Sequence, residues 1–119
     1  MKKKIAILGS TGSIGKSTIN IIKKDKNSFD IVLLTTHKNI KELNKQLKIL
    51  NVKNLIITHQ ESFELFKKKN RNKKIKIFNN YKVLNKILKR KLDYTMSAIS
   101  GLAGLDPTLE IIAKTKVLA

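Results

Sequence analysis

Short apolar runs alternate along this chain with segments whose apolar residues recur at helical spacing. Residues 5–8 form a continuous apolar run, which is typical of a strand buried on both faces. The helical stripes comprise Ile14, Thr18, Ile21 and Ile22; Ile40, Leu43, Leu47 and Leu50; and Leu84, Ile87 and Leu88. The whole pattern predicts strands at 4–8, 30–36, 53–58, 74–78 and 92–99, and helices at 13–24, 40–51, 61–70, 81–91 and 107–115.

This alternation of strands and helices predicts an α/β fold with a Rossmann-like, doubly wound, mainly parallel sheet and helices on both faces. In such sheets ligands bind at the carboxyl ends of the strands, where Gly9, Thr36 and Ser100 lie. Residues 116–119 look like the start of a sixth strand. We therefore interpret residues 1–119 as one domain, the front portion of a longer protein.

Two short patterns predict where helices begin. Thr58, followed three residues later by Glu61, fits a capping box for the helix at 61–70. Asp106 before Pro107 combines an N-cap acceptor with a proline at the first helical position.

Three glycines follow the first strand at intervals of three residues. We expect Gly9 to permit a sharp turn, Gly12 to let a phosphate approach the backbone, and Gly15 to let the helix pack closely on the strand. The turn then aims backbone N–H groups and the positive end of a helix at one point, which suits a dinucleotide pyrophosphate. The alternative is a strand-to-helix turn that binds no ligand.

A phosphate-loop NTPase is a rival interpretation of this turn, because Gly15, Lys16 and Ser17 match the end of that motif. The motif requires glycine at position 10, where Ser10 stands. Gly9 and Gly12 are therefore out of register, and we reject this interpretation.

The segment after the second strand indicates which dinucleotide binds. An enzyme that uses NAD carries a carboxylate there for the ribose 2′-hydroxyl, but none occurs between Asp30 and Glu42. Lys38 would instead attract the 2′-phosphate of NADPH. The alternative is that Lys38 is an ordinary solvated lysine and that Asn39 is only an N-cap for the helix beginning at Ile40.

The composition narrows the function classes. The chain has no apolar run long enough to span a membrane, and its lack of cysteine fits a reducing cytoplasm. We expect no signal peptide, because the lysines at positions 2–4 precede only a short apolar stretch that ends at Gly9. The carboxylates are scattered, so we expect no metal site within the chain. The net charge is +18, but only Arg71 and Arg90 among 26 basic residues are arginine, and aromatic residues make up only 5%. We therefore expect no specific nucleic-acid binding, only weak adhesion to polyanions at low salt.

Three stretches of the chain resemble the 1-deoxy-D-xylulose 5-phosphate reductoisomerase family. Residues 4–18 look like that family's opening, I-A-I-L-G-S-T-G-S-I-G-x-S-T, and Lys38 with Asn39 matches its Lys-Asn pair. Residues 98–109 resemble its A-I-x-G-x-A-G-L-x-P-T-L segment. The spacing of these three stretches covers nearly the whole chain.

The resemblance implies an NADPH-dependent enzyme of non-mevalonate isoprenoid synthesis that converts a sugar phosphate, deoxyxylulose 5-phosphate, to 2-C-methyl-D-erythritol 4-phosphate. It implies Mg²⁺, Mn²⁺ or Co²⁺ in the full-length protein, which would be a cytoplasmic homodimer. The cofactor contacts that it implies are Thr11, Gly12, Ser13 and Ile14 for the phosphates, and Lys38 and Asn39 for the adenosine ribose. His37 stands where many members have glycine. If the backbone contacts the cofactor at this position, His37 must make that contact while carrying a side chain. The alternative is that His37 is a strand-end residue with no charge role.

The family's Asn-Lys-Glu motif and acidic metal site would follow residue 119. We therefore predict that this chain binds NADPH weakly and catalyses nothing by itself. The alternatives are another NADP-dependent dehydrogenase and a stand-alone nucleotide-binding module.

Overall fold

The computed structural model describes residues 2–88, 92–98 and 115–118, which form a six-stranded sheet with helices packed on it. The strands are Lys3–Leu8 (β1), Phe29–Thr36 (β2), Val52–Ile57 (β3), Lys76–Phe78 (β4), Leu92–Ser97 (β5) and Thr115–Leu118 (β6). The helices are Ser13–Ile22 (α1), Ile40–Ile49 (α2), Gln60–Lys69 (α3) and Leu84–Ile87 (α4). The 3₁₀ segments Lys23–Ser28 and Tyr81–Val83 precede β2 and α4.

The sheet has the order β4-β3-β2-β1-β5-β6, and every strand pair is parallel. From β1 the chain adds strands on one side as far as β4, and then returns to place β5 and β6 on the other side. The predicted Rossmann-like fold is therefore confirmed, including the sixth strand. Because the strand order reverses beside β1, a ligand crevice is expected outside the carboxyl ends of β1 and β5.

Apolar side chains of the sheet pack on both of its faces. Ile5 and Ile7 of β1 belong to the cluster that contains the buried apolar side chains of α1, α2 and α3. Ala6 and Leu8 alternate with them and pack on the opposite face with residues of α4. This two-sided burial explains why β1 is a continuous apolar run.

Several helices are shorter than the sequence pattern predicts. The helix predicted at 13–24 ends at Ile22, and the polar residues that follow form an exposed 3₁₀ segment with no apolar side chain to bury. In place of the helix predicted at 81–91, the chain forms a 3₁₀ turn followed by one α-helical turn. The helix ends at Ile87, because Leu88 has non-helical φ and ψ angles of −95° and 73°. The helix predicted at 107–115 lies outside the described residues, except that Thr115 belongs to β6.

The buried face of α1 differs from the predicted stripe. Its buried residues are Gly15, Ile19 and Ile22, whereas Ile14 and Ile21 are 60% and 70% exposed. Spacing alone did not distinguish these faces, because isoleucines occupy both of them.

The capping box predicted for α3 is wrong. Its N-cap is His59, whose Nδ1 accepts a hydrogen bond from the Ser62 backbone N–H at 3.3 Å. Thr58 lies one residue earlier, where its backbone N–H donates to the Thr36 carbonyl at 3.0 Å.

Candidate functional site

The turn after β1 uses some of its own backbone donors internally. Gly9 has φ 75°, a left-handed conformation that favours glycine, as predicted. The Gly9 N–H donates to the Thr35 hydroxyl at 2.9 Å, and the Ser10 N–H donates to the Thr35 carbonyl, also at 2.9 Å. The Gly12 N–H donates to the Gly9 carbonyl at 3.2 Å. The prediction that the turn offers its amides to a ligand is therefore wrong for these three donors.

The next amides, at the start of α1, remain available. In the described part of the chain, the N–H groups of Ser13 and Ile14 have no hydrogen-bond partner, and Gly12 at the N-cap has no capping side chain. These three residues are exposed, as is Lys16, and the first turn carries no acidic residue. Unpartnered amides at a helix N-terminus are suited to binding an anion.

The second and third glycines of the turn have different surroundings. A Cβ added at Gly12 would meet only the Gly9 carbonyl oxygen, at an ordinary 3.6 Å, so the space above Gly12 is open. A Cβ at Gly15 would lie 2.6 Å from the backbone of Ser10. Gly15 is therefore required for helix packing, as predicted, and Gly12 is not.

Polar side chains at the end of β2 hold the turn in place. The hydroxyls of Thr11 and Thr36 are 2.5 Å apart, and they join the turn to the carboxyl end of β2. The Tyr81 hydroxyl donates to the Thr35 hydroxyl at 2.9 Å, behind Gly9. Burial raises the pKa of Tyr81 above its usual 10.0, and the hydrogen bond to Thr35 acts in the opposite direction.

Gln46 of α2 is a supporting residue that sequence reasoning missed. Its side chain is buried, and its Nε2 donates to the Ser10 carbonyl at 2.7 Å. Its Oε1, like the Ser10 hydroxyl, has no hydrogen-bond partner among the described residues. A signal was present, because Gln46 lies three residues after Leu43 and four before Leu50, on the buried face of the helix.

The loop after β2 contains the other predicted contacts. Asn39 is the N-cap of α2, where its Oδ1 accepts from the Glu42 N–H at 3.1 Å. Lys38 is exposed, and its carbonyl accepts from the Ser62 hydroxyl at 3.2 Å. Asp30 lies at the opposite end of β2, where it pairs with Lys53 at 3.0 Å. The structure thus confirms the N-cap role of Asn39 and leaves Lys38 available for an anion.

His37 directly follows β2 and is tied to the loop after β3. Its Nδ1 lies 2.7 Å from the Thr58 hydroxyl, and its carbonyl accepts from the His59 N–H at 3.1 Å. The His37 and His59 rings meet edge to face, with 5.3 Å between their centroids. The side chain of His37 therefore takes part in a defined network at the carboxyl edge of the sheet.

The predicted site residues come together at this edge in two groups. Thr11, Gly12, Ser13 and Ile14 lie after β1, and Lys38 and Asn39 lie after the neighbouring β2. Within residues 2–88, 92–98 and 115–118, no three His, Asp or Glu side chains form a group able to hold a metal ion. None of the described helices could span a membrane. Ser100 and most of the segment at 98–109 lie outside the described residues.

Comparison with known proteins gives one consistent family. The family model described as 1-deoxy-D-xylulose 5-phosphate reductoisomerase matches residues 5–119. The enzyme of that name from Pelagibacter ubique is 56% identical over 98% of this chain, and the one from Thermoanaerobacter pseudethanolicus is 37% identical over the same share. This chain spans only 31% and 30% of the lengths of these two relatives.

Solved structures of reductoisomerases have the same fold. The Zymomonas mobilis enzyme in complex with NADPH superposes with a TM-score of 0.85 at 28% identity, over 98% of this chain and 32% of its own. A reductoisomerase in complex with NADPH, fosmidomycin and magnesium also gives a TM-score of 0.85, at 27% identity. It covers 98% of this chain and 29% of its own.

Proposed function

The chain belongs to the 1-deoxy-D-xylulose 5-phosphate reductoisomerase family, and we propose that residues 1–119 form the N-terminal, NADPH-binding portion of such an enzyme. The open helix N-terminus after β1 is the observation that carries this proposal. The family assignment also excludes the alternative of an unrelated NADP-dependent dehydrogenase.

The residues after β1 suit the pyrophosphate of the cofactor. The unpartnered amides of Ser13 and Ile14 can each donate to a phosphate oxygen, and such charged hydrogen bonds contribute about 1.5–3 kcal/mol each. Gly12 leaves open the space through which a phosphate approaches. Thr11 holds the turn against Thr36, so that the donors are in place before the cofactor arrives.

The residues after β2 suit the adenosine end of the cofactor. Lys38 offers a positive charge to the 2′-phosphate, and the first residues beyond β2 carry no carboxylate that would repel it. Asn39 fixes the start of α2 next to this position through its bond to Glu42. We propose both residues as ribose-end contacts, with the lysine supplying the preference for NADPH over NADH.

We propose that the remaining parts of the reaction use residues outside this chain. Bound NADPH supplies the hydride, while this chain binds and orients the cofactor. We propose that the full-length protein is a cytoplasmic homodimer. It would act on deoxyxylulose 5-phosphate and form 2-C-methyl-D-erythritol 4-phosphate, with a divalent metal held by residues outside this chain. The chain alone is expected to bind NADPH weakly and to be inactive.

Calorimetric titration of the protein with NADPH and with NADH tests this proposal. The variant Lys38→Ala is expected to weaken NADPH binding about tenfold and to leave NADH binding unchanged, because only NADPH has the 2′-phosphate. Lys68→Ala is the matched control, since it removes the same charge from the exposed last turn of α3. It should leave both affinities unchanged.

Two results would contradict the proposal. Failure of the folded protein to bind either nucleotide saturably would remove the pyrophosphate site. Equal affinities for NADPH and NADH, with no effect of Lys38→Ala, would remove the 2′-phosphate assignment while leaving the pyrophosphate site intact.

A further inference from the structure

The two most exposed large apolar side chains among the described residues both lie on α1. Ile21 is 70% exposed and Ile14 is 60% exposed, whereas Leu65 on α3 reaches only 43%. A single exposed isoleucine is ordinary, but two of them on one side of a helix form a patch. Ile14 and Ile21 lie about 10 Å apart along the helix axis, and the half-buried Thr18 lies between them.

The hand of the fold turns this side of α1 toward β5. Residues 14 and 21 each precede a buried residue of the helix, Gly15 and Ile22, by one position. They therefore lie about 100° around the helix axis from the side that packs on the sheet. α1 joins β1 to its parallel neighbour β2, and such crossovers are right-handed. In that geometry, the residue before a buried one lies on the side of the helix away from β2. The opposite side of α1 carries the exposed Lys16.

The face of β5 beside this patch is apolar as well. Tyr94 and Met96 pair with Ile5 and Ile7 of β1, so they share the face of the sheet on which α1 packs, and both are only half-buried. Of the other described helices, α2 and α3 follow strands on the far side of β1, and α4 packs on the opposite face. We define the α1–β5 surface as Ile14, Thr18, Ile21, Tyr94 and Met96. Because parallel sheets are covered on both faces, a further layer is expected here.

The length of the related enzymes indicates what covers the α1–β5 surface. This chain spans 31% and 30% of two reductoisomerase sequences and 32% of the Zymomonas mobilis structure. The greater part of each relative therefore lies outside the region that this chain matches. A second copy of this chain is a poorer occupant, because each copy carries a net charge of +18 and the two would repel each other.

We propose that the α1–β5 surface is an internal interface of the full-length enzyme, on which apolar side chains of the polypeptide beyond residue 119 pack. This inference rests on the proposed function, because it requires this chain to be the N-terminal portion of a longer polypeptide. The interface begins at Ile14, whose backbone N–H is one of the unpartnered amides proposed for the pyrophosphate. It therefore holds the rest of the enzyme beside the cofactor crevice, where the substrate must meet the cofactor.

Thiol labelling of the full-length enzyme tests the inference, since this chain contains no cysteine of its own. Ile21→Cys places a thiol on the α1–β5 surface, and Leu65→Cys is the matched control on α3. Each rate of reaction with N-ethylmaleimide is divided by the rate of the same variant in urea. Without the interface, position 21 should react at least as fast as position 65, because its side chain is the more exposed within this chain. With the interface, position 21 should react at least about tenfold more slowly, since a covered thiol is inaccessible to the reagent.

Photo-crosslinking identifies what covers the surface. Benzoylphenylalanine introduced at position 21 of the full-length enzyme should form crosslinks to peptides beyond residue 119 of the same polypeptide, mapped by mass spectrometry. The same amino acid at position 65 should not form those crosslinks. All of these variants should bind NADPH as the unmodified enzyme does, because neither position belongs to the proposed cofactor site.

Three outcomes would overturn the inference. Labelling of Ile21→Cys as fast as Leu65→Cys would show that the α1–β5 surface is open to solvent in the full-length enzyme. Crosslinks between two polypeptides, seen as a doubled mass, would assign the surface to a second copy. Crosslinks confined to residues 1–119 would show that this chain covers the surface itself.

Titration of the same full-length enzyme with NADPH separates this inference from the proposed function. NADPH binding together with an open surface at position 21 overturns only the interface. A protected position 21 without NADPH binding supports the interface and overturns only the nucleotide site.

Discussion

Replacement of Gly15 by alanine is the most direct test of how the turn after β1 is built. The added Cβ would lie 2.6 Å from both Cα and the carbonyl carbon of Ser10. Carbon atoms pack at about 3.5–4.0 Å, so the contact is about 1 Å too short. Because the clash is with backbone, no side-chain rotation relieves it, and α1 must move away from β1.

The cost of Gly15→Ala follows from two opposing terms. Overpacking of this kind costs about 1–3 kcal/mol, and we expect the upper end because only backbone can yield. Alanine offsets about 1 kcal/mol through its higher helix propensity. The net loss is about 2 kcal/mol, or about 8 °C in Tm for a domain of this size.

Gly12→Ala is the matched control for Gly15→Ala. Its Cβ meets only the Gly9 carbonyl oxygen, at 3.6 Å, so a loss below about 1 kcal/mol is expected from the weaker N-cap. Thermal unfolding followed by circular dichroism measures both variants, and NADPH titration follows on the folded ones. Gly12→Ala should keep its stability and lose affinity, since its Cβ enters the space proposed for the phosphate. Equal Tm values for the two variants would refute the packing argument.

Three further substitutions test other contacts of the site. Gln46→Leu leaves the buried Ser10 carbonyl without its donor, and chemical denaturation should show a loss of about 1–3 kcal/mol; an unchanged midpoint would contradict this. Burial raises the pKa of Tyr81, so wild-type stability should fall above about pH 10, where the unfolded tyrosine ionises. Tyr81→Phe should remove that fall while costing about 0.5–1.5 kcal/mol at pH 7 through loss of the bond to Thr35; unfolding curves at pH 7 and pH 11 check both effects. Asn39→Asp keeps the cap of α2 but adds a negative charge, so Tm should stay unchanged. The affinity for NADPH should fall about tenfold and the affinity for NADH should fall less. Equal losses for both nucleotides would count against the ribose assignment.

The amino-acid sequence by itself determined the architecture of this protein. Buried parallel strands require continuous apolar runs, so residues 5–8 predicted β1. The alternation of strands with helices predicted the doubly wound sheet. Gly9 and Gly15 were interpretable because each answers a local steric demand of one turn, a left-handed φ at Gly9 and close packing at Gly15. The cap of α2 by Asn39 was likewise predictable, since it spans three residues.

Only the tertiary structure decided how the site is supported. Gln46 reaches Ser10 across 36 positions of sequence and Tyr81 reaches Thr35 across 46, so neither contact leaves a local pattern. The same holds for His37 and Thr58, which meet because β2 and β3 end side by side. Thr35 likewise accepts hydrogen bonds from the Gly9 and Ser10 N–H groups. The amides that remain unpartnered are therefore those at the N-terminus of α1. Local sequence fixes which element forms, whereas the partner of a polar group depends on which elements the fold brings together.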